Sequence, residues 1–457
     1  MPHFGTANLS YPTIGLSCEE VQKYRPGGYH PVNIGDAFDS GRYHVVQKLG
    51  WGGFSTVWLV LDSSKSRLAA LKVLVSKLTD ASNETRILQR LAAIPADHEG
   101  NRHLRKLTNS FFHDGPNGRH QCLVFEVDGI SVAPLMNECP NWWRLPGHVA
   151  WQISKHITLA LDCLHSNGIA HGDLHIGNIL VSQKKGQFSD PGSVKDLGPP
   201  DLNDIRDLAD EWPAYNFPQD IPDPVELPNP AIAGQVHATL IDFGQSFLQT
   251  DSLLPKVYTP LVYKAPEALL GTKWDLRMDI WALAATIFEL IIGHPPFSRI
   301  MPRENHLVLE WIAMFDDVPE EWSDQAKVVI GDCKANIRIS PLSERLRHLY
   351  FNGETKGDRP AEFSEESIER LADLLTKMMR YRPEDRLSTQ DILKHEWFAQ
   401  NPLASVDEAA AEKELPAENK SPAENKVSPE SKVSPESKVP AEEGTPAEKE
   451  VSAENEE

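Results

Sequence analysis

Cysteine is scarce in this chain. The five present, Cys18, Cys122, Cys139, Cys163 and Cys333, are widely spaced and form no C-x-x-C pair. A disulfide framework and a zinc knuckle are therefore both excluded. No secretory leader is expected, because Met1-Pro2-His3-Phe4-Gly5 carries no basic stretch running into an apolar one. The most apolar run, 280–293, is too short to cross a bilayer and contains Glu289. Positive charge is in deficit: 45 Lys+Arg stand against 66 Asp+Glu, a net charge of −21 over 457 residues. Phosphate backbones call for a cationic footprint, so direct nucleic-acid binding is not expected. The expectation is a soluble, monomeric protein of a reducing, intracellular compartment, with no membrane contact. No basic cluster decides between cytoplasm and nucleus.

The deficits are unevenly spread. From Ser405 onward there is no aromatic residue, and degenerate Pro-Ala-Glu-Asn-Lys and Val-Ser-Pro-Glu-Ser-Lys units recur around Pro416, Pro422, Pro429, Pro435, Pro440 and Pro446. Such a segment cannot bury enough surface to offset ordering entropy, so a disordered tail is expected over 401–457. Its Ser-Pro and Thr-Pro pairs could accept phosphate, although a solvated spacer is the simpler reading. A second shift occupies 182–238, where nine prolines sit among acidic residues. It interrupts two apolar runs, and a loop of that length is expected to be functional or disordered. The tail carries a net −9 and the insert −6, leaving the remaining residues at only −6. Forty per cent hydrophobic content and 11 Trp mean that those residues can build a large core.

Residues 43–49, 57–61 and 69–74 read as three successive strands separated by Gly-rich and Asp-Ser-Ser turns. Beyond Val149 the periodicity lengthens, predicting helices over 149–165, 278–292, 366–379 and 388–394. A strand-rich front and a helical back predict two lobes with a cleft between them.

Four groups of residues carry chemistry. Leu49-Gly50-Trp51-Gly52-Gly53-Phe54-Ser55-Thr56-Val57 is a glycine-rich hairpin whose backbone could approach phosphates closely. Taken alone it is equally a flexible turn. Lys72, in Ala70-Leu71-Lys72 on the third strand, is placed to bridge nucleotide phosphates, with Glu84 at the start of the next helical pattern as its carboxylate partner. In His171-Gly172-Asp173-Leu174-His175-Ile176-Gly177-Asn178, Asp173 can take the proton of an acceptor hydroxyl. Asn178, together with Asp242 of Asp242-Phe243-Gly244, offers oxygen ligands for Mg²⁺. Each residue alone is a common polar loop residue, but in this order, between apolar runs, chance explains them poorly. His156 and His165 read as ordinary helix-face histidines. Trp142-Trp143 reads as packing, and the acids near Asp316-Asp317 and Glu320-Glu321 as a solvated loop.

The chain here resembles the eukaryotic protein kinases. The likeness continues through Ala265-Pro266-Glu267, Asp279-Ile280-Trp281, Gly293-His294-Pro295-Pro296-Phe297 and Arg386, from about Tyr43 to Phe398. It implies an α+β, bilobal fold: a small β-rich lobe over 41–128 and a larger helical lobe over 129–400 containing the insert, preceded by an arm over 1–40. Gly-Gly-Tyr-His-Pro at 27–31, Ser55 in place of a third loop glycine, and the long split in the domain are similar to the SR-protein kinase family. That resemblance implies Ser/Thr phosphorylation with ATP and Mg²⁺, acting on basic Arg/Ser-rich proteins. It also implies a base-binding hinge at Glu126 and Val127, and a nucleotide site that includes Ala70. Two departures stand out. Gly172 replaces the usual Arg, which argues against activation through a phosphorylated loop pairing with that arginine. His175 replaces the usual Lys, as in aminoglycoside-phosphotransferase-like kinases, and is a candidate catalytic residue. A nucleotide-binding pseudokinase scaffold is the alternative that these departures motivate, and a small-molecule kinase is disfavoured by the closing motifs.

Overall fold

Alternation of side chains along β-strands decides what the first lobe can build. In the computed structural model, strands β1 (Ala37–Phe38), β2 (Tyr43–Gly52), β3 (Ser55–Asp62), β4 (Arg67–Leu74), β5 (Leu107–Gly115) and β6 (Gly118–Phe125) form one antiparallel sheet in the order β1-β2-β3-β4-β6-β5. Leu71 and Val73 of β4 face one core with Val45, Trp58, Val60, Cys122 and Val124. Ala70 and Leu74 face the other with Ile87, Leu88 and Leu91 of the helix Glu84–Ala92. The two-residue period puts Lys72 on the helix side. The helical period puts Glu84 on the same buried stripe as Ile87, Leu88 and Leu91.

The second lobe is organised by the helices Gly147–Ser166 and Met278–Ile292. Every residue of Met278–Ile292 is buried, and the helix ends at Gly293, whose φ of 99° takes the left-handed conformation that a side chain would resist. Short strands β7 (Ile130–Ser131), β8 (Ile169–Ala170), β9 (Ile179–Ser182), β12 (His237–Leu240) and β13 (Phe247–Leu248) decorate it, while β10 (Leu202–Asp204) and β11 (Asp220–Pro222) belong to the insert. Antiparallel pairing of β9 with β12 joins the two ends of the insert, and pairing of β8 with β13 braces the chain around Asp173. Further helices run over Glu304–Phe315, Ser323–Ile330, Leu342–Asn352, Glu365–Met378 and Thr389–Lys394.

The structure describes residues 18–79, 83–138, 144–183, 186–192, 197–204, 215–225, 227, 234–251, 257–271, 273–298, 302–316, 318–333, 337, 339–353 and 362–399. All belong to one compact unit, Met1–Ala409. The tail, Trp142-Trp143, Cys139 and Asp317 fall outside them. Among the described residues the cysteines Cys18, Cys122, Cys163 and Cys333 are free thiols, and no helix is long and apolar enough to cross a membrane.

Pieces of the insert lie against the first lobe. Phe188 packs on Leu59, Leu68 and Val127, and Ile221 joins Val21, Tyr24, Tyr29 and Val75. Backbone and side-chain bonds reinforce the packing: Leu68 N–H donates to Ser189 O at 3.0 Å, and Gln47 Nε2 donates to Gly198 O at 2.8 Å. The β10–β11 hairpin gives this Pro-rich stretch a regular element that its composition did not announce.

Candidate active site

The hairpin β2–β3 hangs over a cavity of about 900 Å³. Leu49, Gly50, Trp51, Gly52, Ser55, Val57, Ala70, Lys72, Glu84, Val127, Asn178 and Asp242 line it, so most of the sequence-predicted nucleotide residues converge. Gly53, Phe54, Thr56 and Glu126 are not among the lining residues. Thr56 is buried and accepts from Trp58 Nε1 at 2.9 Å; Phe54 meets the Tyr258 ring at 5.8 Å; Glu126 pairs with Arg67 at 3.3 Å. A Cβ at Gly50 or Gly52 would meet nothing of the protein within 4 Å. Their side-chain-free face therefore leaves room for a ligand, while Gly52 O and Gly53 O accept from Tyr29 Oη at 2.9 Å and Lys23 Nζ at 3.2 Å. Reading the sequence missed lining residues such as Arg105, Phe125, Asp128, Asp223 and Val225. Only Phe125 carried a signal, as the last residue of an apolar strand.

At the floor, Lys72 Nζ lies 2.8 and 2.9 Å from the two oxygens of Glu84 and 2.9 Å from Asp242 Oδ1. Burial opposes its charge, but the two carboxylates outweigh burial and hold the ammonium above the ordinary lysine value. Burial likewise opposes the Asp242 charge; Lys72 and the Gly244 N–H overcome it and lower that carboxyl to about 2.

Asp173 sits under different forces. Burial, with Asp242 nearby, raises its carboxyl to about 7 even though the Asn178 amide opposes the shift. Its Oδ1 is buried without a hydrogen-bond partner. The loop carrying it is held from below by Asp279, which accepts from His171 N–H at 2.7 Å, Gly172 N–H at 2.9 Å and His165 Nε2 at 3.0 Å. His171 donates from Nε2 to Ile241 O at 3.0 Å and accepts from Asp173 N–H at 3.3 Å. Burial keeps its imidazole neutral, which that pair of bonds requires. Gly172 has φ +81°, and a Cβ there would lie 2.4 Å from Gln245 O. The missing arginine is thus a geometric necessity of this loop.

His175 Nδ1 accepts from Gly177 N–H at 3.0 Å, and its Nε2 lies 3.2 Å from Asn178 Nδ2 and 3.8 Å from Asp173 Oδ2. Burial and neighbouring His171 lower this imidazole to about 4, so it brings no cation to the site near neutral pH. Asn178 Nδ2 donates to Asp173 O at 2.8 Å, fixing the amide beside Asp242. The closing motifs are also assembled: Arg386 and Glu267 form a fully buried double ion pair at 2.7 and 2.6 Å.

Comparison with known proteins agrees with this geometry. The protein kinase domain family matches residues 43–207 and 229–398. The serine/threonine-protein kinase SRPK of Physarum polycephalum is 30% identical over 411 residues, covering 84% of this chain and 92% of that protein. The protein kinase dsk1 of Schizosaccharomyces pombe is 26% identical over 84% of this chain and 85% of its own. SRSF protein kinase 3 of Homo sapiens is 38% identical over a shorter stretch, 36% of this chain and 29% of its own. The chain belongs to the SR-protein kinases. It is a Ser/Thr protein kinase with an α+β bilobal fold, and this kinase retains the lysine, the acidic residues and the asparagine on which its sequence likeness rested.

Proposed function

We propose that this kinase transfers the γ-phosphoryl group of ATP, with Mg²⁺, to Ser or Thr hydroxyls of Arg/Ser-rich proteins. The Lys72–Glu84–Asp242 triad at the floor of the cavity carries the reading. Lys72 would hold the nucleotide phosphates, and Glu84 would fix the direction of the ammonium. Asp242 and Asn178 form a donor set of carboxylate and amide oxygen, which suits a hard cation that completes its shell with phosphate oxygens and water. Among the described residues there is no cluster of three His, Cys, Asp or Glu that could hold a metal by itself. When bound, the ion neutralises charge between the phosphates.

Asp173 would orient the acceptor hydroxyl and take its proton. A carboxyl poised near neutral pH has the basicity that this step needs, and the Asp173 side chain keeps about a fifth of its surface exposed. His175 would flank the Asp173 carboxylate as a neutral ring, its Nε2 3.8 Å from Oδ2. The substrate class follows from the names of the relatives and from the acidic balance of the chain, which favours basic partners. No observation favours a non-catalytic scaffold.

The test is a substrate panel: purified enzyme, Mg·ATP, and peptides with Arg/Ser repeats, acidic Ser peptides and a small polyhydroxylated compound. Selective labelling of Arg/Ser repeats is expected. Labelling of the small compound alone would overturn the protein-kinase reading, and preference for acidic peptides would overturn the substrate class.

A further inference from the structure

The outer wall of the cavity comes from the insert. Asp223, Pro224, Val225 and Leu227 line it together with Leu49 and Val127. All four lie between the two matched segments of the kinase domain, which end at 207 and resume at 229. They are therefore an addition to the matched catalytic frame.

The wall is fixed by independent bonds. Val225 N–H donates to Lys48 O at 2.7 Å, and Pro224 and Lys48 form a parallel bridge, so the insert extends the edge of β2 one residue before Leu49. Leu227 joins the cluster of Leu59, Leu68, Val127 and Phe188, with Leu49 at its margin. On the side-chain side, Lys48 is buried in an ion pair with Glu19, which also accepts from Tyr24 Oη. Tyr24 O in turn accepts from Asn216 N–H at 2.9 Å. Arm, insert and glycine hairpin are thus joined around one residue, Lys48.

We propose that Val225 and Leu227 are nucleotide-contacting residues that close the outer side of the cleft. The proposal rests on the reading of this cavity as the ATP site. Leu49, Val57, Ala70 and Leu180 give the cavity apolar surfaces suited to a flat base, and Val225 and Leu227 continue that surface where Leu49 and Val127 would otherwise leave it open. The wall therefore acts on the base and sugar end of the ligand, while Lys72 acts on the phosphate end.

The experiment measures binding to the full chain, with Mg·ADP and adenosine as probes, by calorimetry and by stopped-flow displacement. Burial of one methylene is worth roughly a factor of four in an equilibrium constant. Val225→Ala with Leu227→Ala is expected to weaken both probes about tenfold, mainly through faster dissociation. Lys72→Met is expected to weaken ADP and leave adenosine unchanged. Val225→Ala alone keeps the bond to Lys48 O and the packing of Leu227; it is expected to cost about threefold and covers the case in which the double variant does not fold. Unchanged or tighter binding of both probes, in a variant that melts like wild type, overturns the proposal. If Lys72→Met also leaves ADP unchanged, the ATP-site reading itself fails; if Lys72→Met weakens ADP and the wall variants do not, only the wall is wrong.

Discussion

Asp173 and Asp242 are two neighbouring carboxylates whose environments drive them apart, one to about 7 and the other to about 2. A base must be ionised to act, so kcat/KM for the acceptor is expected to rise with pH through about 7 and then level off. A profile that is flat between pH 6 and 8 would exclude Asp173 as the titrating base. The same shift affects stability with a definite sign. The native carboxyl holds its proton to a higher pH than the unfolded one, so this residue costs stability as pH rises from about 4 to about 7. Asp173→Asn should therefore abolish transfer, yet raise the melting temperature more at pH 8 than at pH 5.5. Gly172 makes a second prediction at this scale. Ala or Arg in its left-handed conformation, against Gln245 O, is expected to cost at least about 1–3 kcal/mol and to displace Asp173. Chemical denaturation compared with wild type measures it, and a Gly172→Arg variant with native stability would contradict the loop geometry.

At the level of elements, Lys72 was legible because one strand alternates, and Glu84 because one amphipathic helix begins there. Both positions follow from local periods of two and 3.6 residues. The helix Leu342–Asn352 was not legible, because it buries only Leu342, Leu346 and Tyr350 and separates them with charge. The hairpin β5–β6 escaped for a related reason: His113, Asp114 and Arg119 flank its turn, and pairing with β4 rather than pattern holds it in place. Val225 and Leu227 lie in a stretch with no period at all, and a backbone bond to Lys48 O, 177 residues earlier, places them. Arg386 and Glu267 show the converse case: both stand in motifs that the sequence displays, and the fold brings them together with both side chains fully buried. Removing one partner leaves a buried charge, so Arg386→Ala is expected to cost about 3–5 kcal/mol. Unfolding in urea would show it, and a loss below 1 kcal/mol would mean that water reaches Glu267.

For the molecule as a whole, the acidic balance resides largely in two segments, the insert and the tail, whose physical roles differ. Described parts of the insert pack on Leu59, Leu68 and Tyr24 and reach the cavity. The tail, on composition alone, lacks the apolar residues to do either, and deletion of 405–457 is expected to leave the melting temperature within about a degree. A clear drop in a thermal scan would show that it docks. The central claim concerns the cavity and is tested most directly by phosphate transfer. Purified wild type, Lys72→Met and Asp173→Asn would be given radiolabelled Mg·ATP and an Arg/Ser-repeat peptide, with label on the peptide measured over time. The account predicts rapid labelling by wild type, at least a hundredfold slower labelling by either variant, and retained ATP binding by Asp173→Asn. Equal labelling by wild type and Asp173→Asn, or none by any of the three, would contradict it.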